Sequence, residues 1–176
     1  MHLILPVPHL HQGHNAGCGL ASIAMALRHA GVAITVPELE RHRLVHPLML
    51  QRWGMGPGRL ARIARTFGVR VTLIEPSRRE AGTRFVAEGG TWRRRAPTEQ
   101  DIRAVLARGV PPVVCIPDKT KAFAGCTHHG SHWIVVVGSE HGDLRILDPA
   151  PWRTIDRCLP GYWSIWRCSL IAIERA

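Results

Sequence analysis

The stretch HQGHNAGCGLASIAMALRHAG, residues 11–31, decides the fold of this chain. Its first half is rich in glycine and polar residues, which is typical of a loop, and after it apolar residues recur at helical spacing. Gly31 follows as a residue suited to a left-handed helix end. We therefore predict a helix over 18–30 that opens with Cys18. The unpaired N–H groups and positive dipole at a helix start stabilise a thiolate, so Cys18 is a candidate nucleophile, with a buried structural cysteine as the alternative.

A cysteine nucleophile needs a general base and a group that orients the base. His132 opens an apolar strand, and Asp148 ends the strand that returns from a turn near His141 and Gly142. Positions equidistant from a hairpin turn lie side by side, so we expect these two side chains to meet at one end of a sheet. We expect the carboxylate to accept the Nδ1–H of His132, which leaves Nε2 for the sulfur. A strand-start histidine and an Asp-Pro turn are the structural alternatives.

Gln12 lies in the loop that precedes Cys18 and can curl back beside the sulfur. Its side-chain NH₂ and the Cys18 backbone N–H would together form an oxyanion hole. His14 and Asn15 are alternative polar groups for that position, and an ordinary loop role for Gln12 is the structural alternative.

The order of elements predicts an α+β fold, with an N-terminal helical part packed on a C-terminal antiparallel sheet. A helix is predicted over 37–46, where Pro47 ends it, and another over 59–67. A third begins with a cap at 97–101 and continues to 108. Strands are predicted over 69–74, 113–116, 131–137 and 144–147, with one or two more in 162–174. We expect one domain over 1–176, with a helical part at about 1–68, a sheet-rich part at about 110–176 and an Arg-rich excursion at about 76–97, with a short extended piece around 84–86.

Three motifs occur in a suggestive order: QGHNAGCGLA at 12–21, GSHWIVVVG at 130–138 and LDP at 147–149. Together they resemble the papain-like cysteine peptidases that process double-glycine leaders of bacteriocins, and their stand-alone, C39-like relatives. The resemblance implies a papain-like fold, with Gln12 as oxyanion donor, Cys18 as nucleophile, His132 as base and Asp148 as orienting acid. It also implies a polypeptide substrate with a glycine-containing cleavage site. Many relatives carry Asp or Asn just before the nucleophile, where this chain has Gly17.

Two alternative functions would involve the same four residues. An acyl transferase or a non-peptide amidase would use the same triad, and a papain-like binding module would leave it idle. We predict no cofactor and no metal. The run Cys126, His128, His129 with His132 has the residue types of a zinc site, but its spacing matches no common structural zinc motif.

The net charge is +10, with 23 Lys and Arg against 13 Asp and Glu. This charge suits an acidic partner such as an inhibitor or immunity protein, and therefore a bacterial effector or toxin, although a coding bias towards arginine on exposed faces is the preferred explanation. No nucleic-acid-binding motif is present, so nucleic acid is not an expected partner. No apolar run is long enough to span a membrane, and the N-terminus lacks the features of a signal peptide. We expect a cytoplasmic protein, or one exported without a cleavable signal.

The five cysteines are an odd number without the spacing of a disulfide framework. That pattern favours a reducing compartment with at least one special thiol. A bridge between Cys158 and Cys168 is the alternative use of two of them.

Overall fold

The structure, a computed structural model, describes residues 3–14, 16–76, 80–117, 131–150, 157–158 and 169–176. Within these ranges the helices are α1 Cys18–His29, α2 Val36–Glu40, α3 Pro47–Trp53, α4 Pro57–Arg65, α5 Glu80–Ala87 and α6 Glu99–Leu106. The strands are β1 Leu3–Ile4, β2 Arg70–Ile74, β3 Thr91–Arg93, β4 Val113–Pro117, β5 Ser131–Glu140, β6 Asp143–Leu147, β7 Arg157–Cys158 and β8 Ser169–Glu174.

The strands form one sheet in the order β3-β2-β8-β4-β5-β6-β7, and β1 adds to β5. All of these pairings are antiparallel except that between β2 and β3. Apolar side chains alternate along β5, so that Trp133 and Val135 pack with the helical side of the core and Ile134 and Val136 with a second cluster that includes Ile102 of α6. Helices therefore cover both faces of the sheet, and the predicted α+β class is confirmed.

Helix α1 begins at Cys18, as predicted, and packs on β4 and β5. Its core side chains are fully buried, including Leu20, Ile23 and Leu27. Gly17 is the N-cap, and no side chain caps the helix start. The first N–H groups of α1 therefore have neither an intrahelical acceptor nor a side-chain cap.

The predicted hairpin between β5 and β6 is confirmed. Its turn consists of His141 and Gly142, with φ values of 51° and 94°. Two consecutive left-handed residues form the turn type that matches the twist of an antiparallel pair. The register shifts by one residue between Val136 and Gly138, which marks a bulge in β5.

Two expectations about the helical part were wrong. The helix predicted over 37–46 ends after α2 at Glu40, and Pro47 begins α3 instead of ending a helix. Proline lacks the N–H that a first helical residue leaves unpaired anyway, so it fits the start of α3.

The segment 76–97 also differs from the expected excursion. It contains helix α5 where an extended piece was predicted around 84–86, and strand β3, which extends the sheet. Phe85 anchors α5 because its side chain is fully buried against the core. Because the exposed surface of this segment is rich in arginine, the sequence pattern did not reveal that apolar contact.

Candidate active site

His132 and Asp148 meet at the open end of the β5–β6 hairpin. The His132 Nε2 lies 2.8 Å from the Asp148 Oδ1. Both residues are buried, with exposed fractions of 7% and 3%, so the pair is shielded from water. The backbone N–H of Ala150 donates to the same oxygen over 2.8 Å, which fixes the carboxylate in place.

The expected ring orientation was wrong, because Nε2 rather than Nδ1 contacts the carboxylate. Leu147 lies opposite Val135, so the register places Asp148 two positions along β5 from His132. Diagonal neighbours on a sheet are further apart than directly opposed residues, so the carboxylate reaches the far end of the imidazole. The nitrogen nearer the backbone, Nδ1, is then left for the sulfur.

Cys18 lies on the other side of the imidazole. Its sulfur lies close enough to His132 to affect the pKa of the ring, and Cys18 is 8% exposed. Burial by itself lowers the pKa of His132, but the hydrogen bonds to Asp148 and Cys18 and the charges of both groups outweigh it and raise that pKa to about 9. A protonated imidazole between a sulfur and a carboxylate favours a thiolate–imidazolium pair.

Gln12 is buried beside the residue that precedes Cys18. Its Nε2 donates to the carbonyl of His14 over 3.0 Å, and its Oε1 is buried without a partner among the described residues. An amide nitrogen carries two hydrogens, so one N–H remains for a substrate oxygen. A β-carbon built on Gly17 would lie only 3.3 Å from the Cβ of Gln12, which shows how closely the two residues pack.

Trp133 fixes the strand that carries His132 against the helical part. Its Nε1 donates to the carbonyl of Met55 over 3.2 Å. A β-carbon on Gly19 would come within 2.8 Å of Leu60 and 3.2 Å of Trp133, so α1 can approach β5 this closely only with glycine there. The close approach brings the start of α1 to the His132 end of β5.

The four residues singled out from the sequence therefore lie in one region, while other expectations lie outside the described residues. Asn15, Cys126, His128, His129 and Cys168 belong to the undescribed segments, and for Cys158 only the backbone is described. The described residues contain no group of three or more His, Cys, Asp and Glu side chains suited to a metal ion.

Sequence reasoning missed two contacts at this site. The His14 ring pairs with Glu40, whose carboxylate lies 3.2 Å from Nε2. The ring of His9 bonds the carbonyl of Asp148 over 2.7 Å. Neither contact has a spacing signature, because each joins segments that only the fold brings together.

Within the described residues, no helix has the length and apolar character needed to cross a bilayer.

Known proteins resemble this chain in sequence and in fold. The family model described as Peptidase_C39 like family matches residues 4–165. No curated protein sequence matches the chain significantly.

Solved structures resemble the whole chain. A protein described as a C39-like peptidase from Bacillus anthracis is 14% identical, with a TM-score of 0.68, and the alignment covers 100% of this chain and 99% of that one. The peptidase domain of Streptococcus ComA, a bi-functional ABC transporter, is 19% identical, with a TM-score of 0.60 and coverage of 99% and 100%. A double glycine motif protease from an AMS/PCAT transporter, in complex with the leader peptide, is 13% identical, with a TM-score of 0.63 and coverage of 100% and 99%. These likenesses confirm the papain-like fold.

Proposed function

This chain belongs to the Peptidase_C39 like family of cysteine peptidases, and from that premise we propose that Cys18, His132 and Asp148 form its catalytic triad, with Gln12 as oxyanion donor. The observation that carries the proposal is the position of His132, which bonds the buried Asp148 carboxylate and lies close enough to Cys18 for the sulfur to raise the pKa of the ring. A base held between a nucleophile and an orienting acid is the arrangement that covalent catalysis requires.

The chemistry follows from the placement of these groups. The Cys18 thiolate attacks the scissile carbonyl carbon, and the electron pair of the C=O bond moves onto oxygen. The Cys18 N–H and the free N–H of Gln12 stabilise that oxygen. Protonated His132 then gives its proton to the leaving amine, and water attacks the thioester with neutral His132 as base.

We infer that the substrate is a polypeptide cut after a glycine pair. One structural neighbour is a double glycine motif protease in complex with a leader peptide, which supports this substrate class. Glycine has no Cβ, so a glycine pair can enter a narrow cleft that larger side chains would block.

The roles of effector or toxin, and an acidic inhibitor or immunity protein, rest on the charge of +10. Part of that charge is concentrated around Glu88, where Arg62, Arg43 and Arg84 together hold the pKa of this carboxyl below its usual range. An acidic protein that covers this surface would find several cations close together. The cytoplasmic location, or export without a cleavable signal, stays a prediction.

The test is to compare new N-termini in a bacterial lysate treated with the wild type or with Cys18→Ala. Hydrolysis predicts new N-termini after Gly-Gly only with the wild type. Acyl transfer instead predicts adducts on the new C-termini, which mass spectrometry distinguishes. The absence of both products would contradict the proposal.

The rate of alkylation by iodoacetamide distinguishes a reactive Cys18 from an unreactive one. Cys115 is a matched internal control, because it is also a buried cysteine, and its exposed fraction of 5% is close to that of Cys18, which is 8%. A thiolate at Cys18 predicts much faster alkylation than at Cys115 near pH 6, and His132→Ala should remove the preference. Equal rates in the wild type would indicate an idle site.

A further inference from the structure

The loop between Gln12 and Cys18 is closed by one backbone carbonyl. The carbonyl of His14 accepts a hydrogen bond of 3.0 Å from Gln12 Nε2 and another of 3.0 Å from the Gly17 N–H. The position of His14 therefore sets the position of the Gln12 amide relative to the start of α1.

The His14 ring makes one contact inside the loop and one outside it. Its Nδ1 accepts a hydrogen bond from the Ala16 N–H over 3.3 Å, so the ring hydrogen of the neutral form lies on Nε2. That nitrogen lies 3.2 Å from the Glu40 Oε1. The two side chains are 35% and 30% exposed, so the contact is shielded only in part.

Glu40 is the last residue of α2, and α2 is held in place at its start and along its buried face. A capping box between Thr35 and Glu38 begins this helix, and Leu39 is fully buried against the core. Helix α2 also packs on α1, the helix that begins with Cys18. The backbone that carries Glu40 is thus fixed relative to the nucleophile.

The loop has little room to adjust if this support is lost. A β-carbon on Gly17 would lie 3.3 Å from both the Gln12 Cβ and the His14 carbonyl oxygen, so the three residues are in close contact. Within the described residues, the side-chain amide of Gln12 has no hydrogen-bond partner other than that carbonyl. Any shift of His14 therefore moves the amide.

We propose that His14 and Glu40 are positioning residues that hold Gln12 in place as oxyanion donor through the chain Glu40–His14–Gln12. The inference rests on the proposed function, since it assigns Gln12 to the transition-state oxygen. It predicts that loss of the Glu40 acceptor oxygen at His14 weakens stabilisation of the transition-state oxygen and leaves the nucleophile unchanged.

A peptide aldehyde reports on stabilisation of the oxyanion, and iodoacetamide reports on the reactivity of the Cys18 sulfur. With a Leu-Gly-Gly aldehyde, the Cys18 thiolate adds to the aldehyde carbon, the electron pair moves onto oxygen, and the imidazolium proton neutralises it. The affinity for this adduct depends on the oxyanion hole, whereas alkylation by iodoacetamide develops no such oxygen. We would measure the aldehyde Kd and the alkylation rate of Cys18 for each variant.

Glu40→Ala should weaken aldehyde binding by about five-fold, as expected for a partly exposed pair, with an unchanged alkylation rate. Glu40→Asp, whose shorter side chain cannot reach His14, should behave like Glu40→Ala. Glu40→Gln, which retains the acceptor oxygen, should bind as the wild type does. Glu99→Ala removes a similarly exposed carboxylate that pairs with Arg103 and should change neither value.

Wild-type aldehyde affinity in both Glu40→Ala and Glu40→Asp would overturn the inference and leave the proposed function intact. Equal losses in aldehyde affinity and alkylation rate would also overturn it, because they would indicate a general disturbance of the site. A wild type that binds no aldehyde would contradict the proposed function itself, and the inference with it.

Discussion

The backbone N–H of Gln12 donates a hydrogen bond of 2.8 Å to the carbonyl of Pro149. This bond joins the loop before α1 to the segment after Asp148, two segments that are far apart in the sequence. His9 strengthens the junction by bonding the Asp148 carbonyl over 2.7 Å. The candidate oxyanion donor and the candidate orienting acid are therefore held in register by backbone contacts, without help from the substrate.

The pH dependence of catalysis should follow the titration of His132. The leaving amine needs a proton from the imidazolium, and the pKa of His132 is raised to about 9 although burial opposes the shift. We expect kcat/KM for a Gly-Gly peptide to fall above about pH 9. Asp148→Asn removes a negative charge that favours the imidazolium, so its alkaline limb should move to lower pH. An alkaline limb at the same pH in the wild type and in Asp148→Asn would contradict this assignment.

Stability should depend on pH through the same residue. The folded-state pKa of His132 rises from 6.5 to about 9, so its contribution is fully present below pH 6.5 and is lost as the pH rises through 9. The difference in unfolding free energy between the wild type and His132→Gln should therefore shrink by up to about 3 kcal/mol between about pH 6 and pH 10. Urea denaturation at several pH values measures it.

His42→Gln is a control of opposite sign for that series. Burial lowers the pKa of His42, and the charge of Arg43 adds to the effect. The native state therefore favours the neutral ring, and its stability decreases as the pH falls below 6.5. The difference in unfolding free energy between the wild type and His42→Gln should therefore grow as the pH rises through 6.5. A difference that shrinks for both variants would indicate a general effect of pH.

Gly19→Ala should disturb the contact between α1 and the sheet. The new methyl group would meet Leu60 at 2.8 Å and Trp133 at 3.2 Å, and both side chains are buried. We expect a loss of about 1–3 kcal/mol in unfolding free energy, together with slower alkylation of Cys18. Gly56→Ala is the matched control, since no atom lies within 4 Å of its added methyl group. Equal stability of the two variants would refute this account of the packing.

Ser22→Ala should stabilise the protein. The Ser22 side chain is fully buried in α1, and its hydroxyl has no hydrogen-bond partner among the described residues. An unpaired buried hydroxyl costs about 1–3 kcal/mol, and alanine also favours the helix. Thermal unfolding should show a higher Tm. Ser139→Ala, which removes a hydroxyl that accepts a bond from Arg103, should not raise it.

The sequence predicted those features that depend on local pattern. Helical spacing after Cys18 and the His141–Gly142 turn were sufficient for α1 and for the β5–β6 hairpin. The ring orientation of His132 escaped prediction because it depends on the exact offset between Asp148 and His132, and the bulge in β5 that sets this offset has no clear mark in the sequence. Helix α5 and the Glu40–His14 contact escaped for a related reason, since each depends on a tertiary contact rather than on spacing.

Strand β8, Ser169–Glu174, lies between β2 and β4 in the middle of the sheet, yet the ribosome makes it after every other described strand. During synthesis the two halves of the sheet therefore lack the strand that joins them, and long-range pairing of this kind is slow. The support beneath the cleft is completed only once residues 169–174 have left the exit tunnel.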